Sequence, residues 1–118
     1  MIKSVERNTS MPSMIVIYIV TRDAKESEKI GKHLLKKRLA ACVNIIPSIQ
    51  SFSLWPPHKG TIEHANESIL LCKTLEDRWE DIEREVKKIH SYQNPAIFAI
   101  PVAHASDNYL NWLEGEIR

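Results

Sequence analysis

The residues best suited to chemistry in this chain are a close pair, His90 and Tyr92, and four further histidines. An imidazole can ligate a metal or exchange protons near neutral pH. No two of the histidines have the i, i+4 spacing of a helical metal pair. Two interpretations of His90 follow: a metal ligand or hydrogen-bonding group in a cleft shared with Tyr92, or a cation that stabilises a helix C-terminus through the helix dipole.

Other reactive or charged side chains lie in apolar, strand-like segments. Cys42 and Cys72 are too few for a disulfide framework. They are either two small core side chains or a soft-metal or redox pair on neighbouring strands. Glu67 and Lys73 form surface ion pairs or line a pocket between subunits. Trp55 stands beside two prolines, and we expect it to pack against another subunit.

Composition and missing motifs exclude several function classes. The chain has 3 glycines and contains no P-loop, dinucleotide-binding glycine motif, HExxH helix or serine nucleophile elbow. No activated nucleophile or acid/base pair is visible, so we predict that the protein is not an enzyme. The net charge of +1 gives no sign of nucleic-acid binding. No run is long enough to span a membrane, and the absence of a signal peptide favours the cytoplasm.

Hydrophobic patterning divides the chain into alternating strands and helices. Residues 1–13 are polar and aperiodic, which predicts a flexible tail before a single domain over 14–118, with Met1, Met11 and Met14 all candidate starts. Thr74 to Asp77 has the pattern of a capping box and predicts a helix start. Ser106 is expected to cap the last helix. The predicted elements are strands at 14–20, 42–55, 67–74 and 95–102, and helices at 23–41, from 74 to about 90, and after 106.

The order βαββαβ followed by a helix predicts an α+β, ferredoxin-like subunit. Right-handed crossovers place the first and third strands in the centre of the sheet, with both crossover helices on one face. The second and third strands are long enough to project as an extended hairpin. The bare sheet face and the exposed strand edges favour self-association.

Four segments resemble the CutA family of divalent-cation tolerance proteins: "LLKKRLAACVNIIPSIQSFSLW", "ESILLCKT", "HSYQNPAIFAIPV" and "NYLNWL". The resemblance runs from about Met14 to the C-terminus and keeps the segments in family order. It implies a ferredoxin-like subunit, a homotrimer and a link to tolerance of copper and other divalent metals, with no enzymatic activity. Together with the resemblance, these residues lead us to expect His90 as a metal ligand, with Trp55, Glu67, Lys73 and Tyr92 lining a cleft between subunits.

The chain departs from the family at several of these positions. The family motif His-Pro-Tyr-x-x-Pro-Glu keeps His90, Tyr92 and Pro95 here, whereas Ser91 and Ala96 replace the proline and the glutamate. The positions at which some members offer copper a further cysteine and histidine are Ile19 and Ile89. Because a metal site needs three or four ligands, one chain is expected to hold an incomplete set.

Three functions remain open from the sequence. The first is a non-enzymatic, trimeric protein of divalent-metal tolerance that binds a metal such as Cu²⁺ in clefts between subunits. The second is a sensor of a small anionic metabolite, similar to PII signalling proteins, in which Lys73 supplies positive potential. The third is an assembly protein with no ligand.

Overall fold

The computed structural model describes residues 13–118, so the predicted tail at 1–13 lies almost wholly outside the described residues. Four strands and three helices follow one another in the predicted order. A single 3-10 turn precedes the second helix. The elements are β1 (Met14–Thr21), α1 (Ala24–Lys36), β2 (Cys42–Leu54), β3 (Ile62–Leu75), the 3-10 turn (Glu76–Arg78), α2 (Trp79–Ile89), β4 (Ile97–Pro101) and α3 (Asp107–Ile117).

The four strands form one sheet in the order β2-β3-β1-β4. Every neighbouring pair is antiparallel, and β1 and β3 occupy the centre. This order confirms the predicted α+β, ferredoxin-like topology, in which α1 and α2 are the two crossover helices between strands. No helix in the described part of the chain is long and apolar enough to cross a membrane.

One face of the sheet carries the main core. Alternate residues of β1, namely Ile15, Ile17 and Ile19, point to this face and are almost fully buried. They pack against apolar side chains from both crossover helices, including Ile30 of α1 and Val86 of α2. The hydrophobic periodicity of α2 therefore corresponds to its contact with the sheet.

The other sheet face is apolar and largely open. Register places Val16, Tyr18 and Val20 of β1 on this face, in rows that continue into β3 and β4. Within residues 13–118, α3 packs only over the end of this face, against Met14 and Leu75. Phe98, whose ring stacks on that of Tyr18 at 4.7 Å, is 48% exposed. Ile46 and Ile100 are exposed on the same face at 41% and 44%.

The β2–β3 hairpin projects beyond the rest of the sheet, as predicted. β3 pairs with β1 only from Ser68 onward, so residues 49–67 form an arm paired only with itself. A register shift between Ile46 and Ile49 brackets Pro47, which has no N–H to donate. Ser68 Oγ–H donates to the carbonyl of Ile46 at 2.9 Å and satisfies the acceptor left at this bulge.

Two predicted helix boundaries are wrong. α1 was expected to reach residue 41, but it ends at Lys36. The reason is Arg38, which adopts a positive φ and whose N–H bonds to the carbonyl of Leu35, a conformation that closes a helix C-terminus. The predicted capping box at Thr74 is also absent. Thr74 lies within β3, fully buried, and its hydroxyl donates to the carbonyl of Leu39 at 2.6 Å.

The predicted cap of the last helix is confirmed. The side chain of Ser106 accepts a hydrogen bond from the N–H of Tyr109 at the start of α3. This bond satisfies one of the N–H groups that have no partner within the first turn of a helix.

Gly31 allows α1 to approach the sheet closely. A Cβ at this position would lie 3.0 Å from Cγ2 of Val43 and 3.2 Å from Cδ1 of Leu70. Both neighbours are side chains of the sheet, and Leu70 is fully buried. Gly31 therefore lies where β2 and β3 touch α1.

We expect Gly31→Ala to lower the free energy of unfolding by about 1–3 kcal/mol, because overpacking outweighs the gain in helix propensity. Gly115 of α3 has no atom within 4 Å of the point where a Cβ would lie, so Gly115→Ala is a matched control. That control should raise the stability by about 0.5–1 kcal/mol. Urea unfolding of both variants measures the difference, and equal stabilisation of the two would contradict the close approach.

Candidate functional site

His90 lies immediately after α2 and is 9% exposed. Its Nε2 is 2.7 Å from the carbonyl oxygen of Val20, and its Nδ1 is 3.0 Å from the backbone nitrogen of Tyr92. Since a carbonyl only accepts and an amide N–H only donates, these partners assign the proton to Nε2 and the lone pair to Nδ1. Both ring nitrogens are thus engaged in hydrogen bonds, and the one to Val20 joins the end of α2 to β1.

Ser91 connects the same turn to the start of α1 through a buried carboxylate. Its N–H and its hydroxyl donate to Glu26 at 2.7 and 2.9 Å, and the N–H of Arg22 donates to Glu26 at 2.8 Å. Burial by itself raises the pKa of Glu26, but the hydrogen bonds from Arg22 and Ser91 outweigh it and lower the pKa. Proline, the family residue at position 91, has neither donor.

Tyr92 reaches a third element. Its hydroxyl donates to a carboxylate oxygen of Glu67 on β3 at 2.6 Å, and its ring is tilted against His90 with centroids 5.1 Å apart. Burial, followed by the hydrogen bond to the Glu67 carboxylate, raises the pKa of Tyr92. Tyr92 therefore contacts two of the other predicted site residues, His90 and Glu67.

The residues His90 to Tyr92 form a turn that we call the 90–92 staple. Each of its three residues bonds a different part of the fold: β1, the start of α1 and β3, respectively. Glu67 lies just beyond the last β1-paired residue of β3, Ser68. The staple and Glu67 together form a polar cluster at the base of the hairpin arm.

The structure brings together only three of the five predicted site residues: His90, Tyr92 and Glu67. Lys73 lies opposite Val16 on the open sheet face. Val16 is four residues along β1 from Val20, which corresponds to about 13 Å of strand. Trp55 lies at the tip of the arm, six residues beyond the partner of Glu67 on β2. That separation corresponds to about 20 Å of strand. A cleft that contains all five residues stays a prediction, because a single chain does not bring them together.

The two cysteines do not form a pair. Cys42 lies opposite Lys73, whereas Cys72 lies opposite Val43, so their side chains point to opposite faces of the sheet. Both are free, and burial raises the pKa of the Cys72 thiol to about 12. The interpretation of Cys72 as a small core side chain fits this environment, and a shared soft-metal site does not.

A divalent cation does not fit the cluster as it stands. Nowhere in residues 13–118 do three or more His, Cys, Asp or Glu side chains gather in a metal-binding group. His90 offers a cation a ring nitrogen only if one of its two hydrogen bonds breaks. Whether His90 is a metal ligand stays a prediction, and one chain supplies at most part of a coordination shell.

Glu26, the residue that anchors the staple, was not predicted from the sequence. The sequence does contain a signal for Glu26, because Asp23 and Glu26 have the spacing of a capping box. Asp23 accepts from the N–H of Glu26 at 2.9 Å, and Glu26 accepts from the N–H of Arg22. The same local pattern at Thr74 produced the wrong helix start, so the pattern alone does not separate the two sites.

The chain is a ferredoxin-like α+β subunit, and it adds to that fold a projecting hairpin arm, an open apolar sheet face and a histidine-containing polar cluster. The sequence model of the CutA1 divalent ion tolerance protein family matches residues 15–116. The chain belongs to this family.

Individual relatives agree with that assignment. The divalent-cation tolerance protein CutA of Archaeoglobus fulgidus is 43% identical over 98 residues, covering 83% of this chain and 92% of its own. The chloroplastic CutA protein of Arabidopsis thaliana is 32% identical over 117 residues, which cover 99% of this chain and 62% of the relative. The chain thus spans less than two thirds of the plant protein.

Solved structures show the same fold. The periplasmic divalent cation tolerance protein CutA from Archaeoglobus fulgidus superposes with a TM-score of 0.84 at 39% identity, covering 89% of this chain and 99% of that one. CutA1 from Pyrococcus horikoshii superposes with a TM-score of 0.81 at 36% identity, covering 88% of this chain and 98% of that one.

The anchoring of the staple can be tested at Ser91. We expect Ser91→Ala to lower the free energy of unfolding by about 1.5 kcal/mol, because it removes one hydrogen bond to a buried carboxylate. Ser91→Thr keeps the hydroxyl and should remain close to the wild type. Thermal unfolding followed by circular dichroism compares the two, and a Ser91→Ala protein as stable as the wild type would contradict the anchoring role of the hydroxyl.

Proposed function

We propose that this protein acts in divalent-cation tolerance as a non-enzymatic homotrimer that binds a cation such as Cu²⁺ between subunits. The observation that carries the proposal is the polar cluster, in which an imidazole and a carboxylate meet Tyr92 at the base of the arm. Imidazole nitrogen and carboxylate oxygen are ligands that divalent transition metals accept. The family's role in divalent-cation tolerance supports this use of the cluster.

Two exposed apolar surfaces support the assembly. The open sheet face presents Phe98 and Ile100, and the arm presents Phe52, Leu54 and Ile62, with exposed fractions from 44% to 72%. Contiguous exposed apolar surface of this kind marks interaction sites in soluble proteins. In the proposed trimer, a second copy would supply the further ligands that complete the shell begun by His90 and Glu67.

A second candidate function is the sensing of a small anionic metabolite, as in PII-like proteins. The observation that favours it concerns Lys73, which is half-buried on the open face and has no carboxylate partner in the described part of the chain. Its ammonium lies 3.9 Å from the Sγ of Cys42. A thermal-shift screen with metals and metabolites separates the functions, because a ligand specific to the folded state raises its apparent stability.

The compartment stays a prediction. Cytoplasmic location agrees with the two free cysteines. The relatives named above include a periplasmic protein and a chloroplastic one.

The trimer is tested by sedimentation equilibrium at micromolar concentration. We expect a mass of three times the 13.6 kDa chain. Phe98→Glu places a charge on the open face and should yield a folded monomer, because burying an unpaired charge is costly. Lys29→Glu, on the exposed surface of α1, is the matched control and should remain trimeric. A wild-type protein with the mass of a single chain would contradict the proposed trimer.

Cation binding is tested by isothermal titration of the wild-type protein with CuCl₂. We expect His90→Ala to weaken binding by about tenfold or more, since it removes an imidazole ligand. His104→Ala, at an exposed position after β4, is the control and should bind as the wild type does. Identical isotherms for His90→Ala and the wild type would exclude His90 as the ligand.

A further inference from the structure

We propose that three pairs of consecutive residues form a closed ring of hydrogen bonds that fixes the base of the hairpin arm and couples its orientation to the 90–92 staple. We call this ring the arm latch, and its members are Glu26, Ser27, Glu67, Ser68, Ser91 and Tyr92. The arm latch needs neither a cation nor a second copy of the chain, so its test is independent of the proposed function.

Two of the three links in the arm latch involve the staple. Glu26 accepts hydrogen bonds from the N–H and the hydroxyl of Ser91 at 2.7 and 2.9 Å. The hydroxyl of Tyr92 donates to Glu67, the last arm residue before β3 joins β1, at 2.6 Å. Within residues 13–118, this second link is the one side-chain hydrogen bond or ion pair between residues 49–67 and the rest of the fold.

The third link closes the ring inside the core. Ser27 follows Glu26 on α1, and Ser68 follows Glu67 on β3. The Oγ atoms of Ser27 and Ser68 are 2.9 Å apart, and both residues are fully buried. A hydroxyl has a single O–H, and Ser68 donates its own to the carbonyl of Ile46, so Ser27 is the donor to Ser68. Ser68 therefore connects α1 to both strands at the base of the arm.

The arm latch holds β3 from both sides at two adjacent residues. Side chains alternate along a strand, so those of Glu67 and Ser68 leave opposite faces of β3. A single bond would allow the strand to rotate about it, whereas two bonds on opposite faces oppose rotation in either direction. Each bond also keeps the donor and acceptor of the other close together, which raises their effective concentration.

The arm latch lies at the point where the arm can bend. The ladder between β2 and β3 shifts register between Ile46 and Ile49, next to the carbonyl that Ser68 bonds. A bulge bends a strand and changes the direction of the residues that follow it. By holding both strands here, the latch sets the direction in which the arm presents the exposed side chains of Phe52 and Leu54.

Amide hydrogen exchange of residues 49–67 tests the arm latch, because exchange reports local opening. We expect Ser27→Ala and Tyr92→Phe each to raise the exchange rates of the slowest arm amides about tenfold, the factor that corresponds to the loss of one hydrogen bond. The amides of α3 should keep their wild-type rates. Each variant is compared with the wild type at a concentration at which sedimentation equilibrium gives both the same mass.

Two matched controls remove buried hydroxyls outside the arm latch. Thr74→Val removes the fully buried hydroxyl that bonds Leu39, near the end of β3 that is remote from the arm. Tyr109→Phe removes a buried hydroxyl that has no hydrogen-bond partner within residues 13–118. Neither control should raise the exchange of the arm selectively over that of the rest of the domain.

The coupling to the staple is tested at Ser91, which bonds Glu26 and has no hydrogen bond to the arm within residues 13–118. We expect Ser91→Ala to raise the exchange of the arm, because it loosens the turn that holds Tyr92. The increase should be smaller in the Tyr92→Phe background, where the link to Glu67 is already lost. No effect of Ser91→Ala on the arm, or an equal effect in the two backgrounds, overturns the coupling.

Wild-type exchange rates in the arm of either Ser27→Ala or Tyr92→Phe overturn the arm latch, as does an equal rise across the whole domain. Tyr92→Phe keeps the aromatic ring and carries the test alone if Ser27→Ala does not fold. A wild-type protein that is monomeric or binds no cation would contradict the proposed function and leave this test unchanged.

Discussion

A buried carboxylate at the start of α1 determines how the second half of the chain closes on the first. Glu26 is 6% exposed. A charge so placed needs hydrogen-bond donors. Its own helix region supplies one donor through Arg22, and Ser91 supplies two from the other end of the domain. The two bonds from Ser91 hold the end of α2 against the start of α1 and so fix the turn that carries His90 and Tyr92.

The cluster and the hairpin arm are physically continuous. Glu67 belongs to β3 at the point where that strand leaves β1 and pairs only with β2. The cluster therefore adjoins the base of the arm, which carries exposed apolar residues such as Phe52 and Leu54. In the proposed trimer, cation binding and subunit contact would meet at this one place.

The departure from the family motif at Ser91 has a structural counterpart. Proline at this position could not donate to Glu26, whereas serine donates twice. Position 96 is Ala96 here, so Glu67 is the one carboxylate of the cluster. Both oxygens of the neighbouring Glu26 already accept hydrogen bonds. The histidine and the tyrosine of the motif are held in this chain by hydrogen bonds to Val20 and Glu67.

Periodic, local signals carried most of the fold prediction. In the sequence, Trp79, Ile82 and Val86 recur at the spacing of one helix face, and in the structure they pack in the core beneath α2. Runs of β-branched residues likewise correspond to strands. Signals that depend on partners failed. Thr74 has a capping pattern but lies in a central strand, where a bond to the carbonyl of Leu39 outweighs any local cap. Asp23 and Glu26 have a similar pattern and do cap a helix.

Element order, sheet topology, family and the position of His90 and Tyr92 just after the second helix could all be predicted from the order of residues, because they follow from periodicity and from motifs within short segments. What those two residues contact could not. Whether Nε2 of His90 is free depends on Val20, which is 70 residues away, and the carboxylate partner of the Tyr92 hydroxyl is 25 residues away. Hydrogen bonds between distant elements leave no local pattern, so these two bonds became visible only in the folded chain.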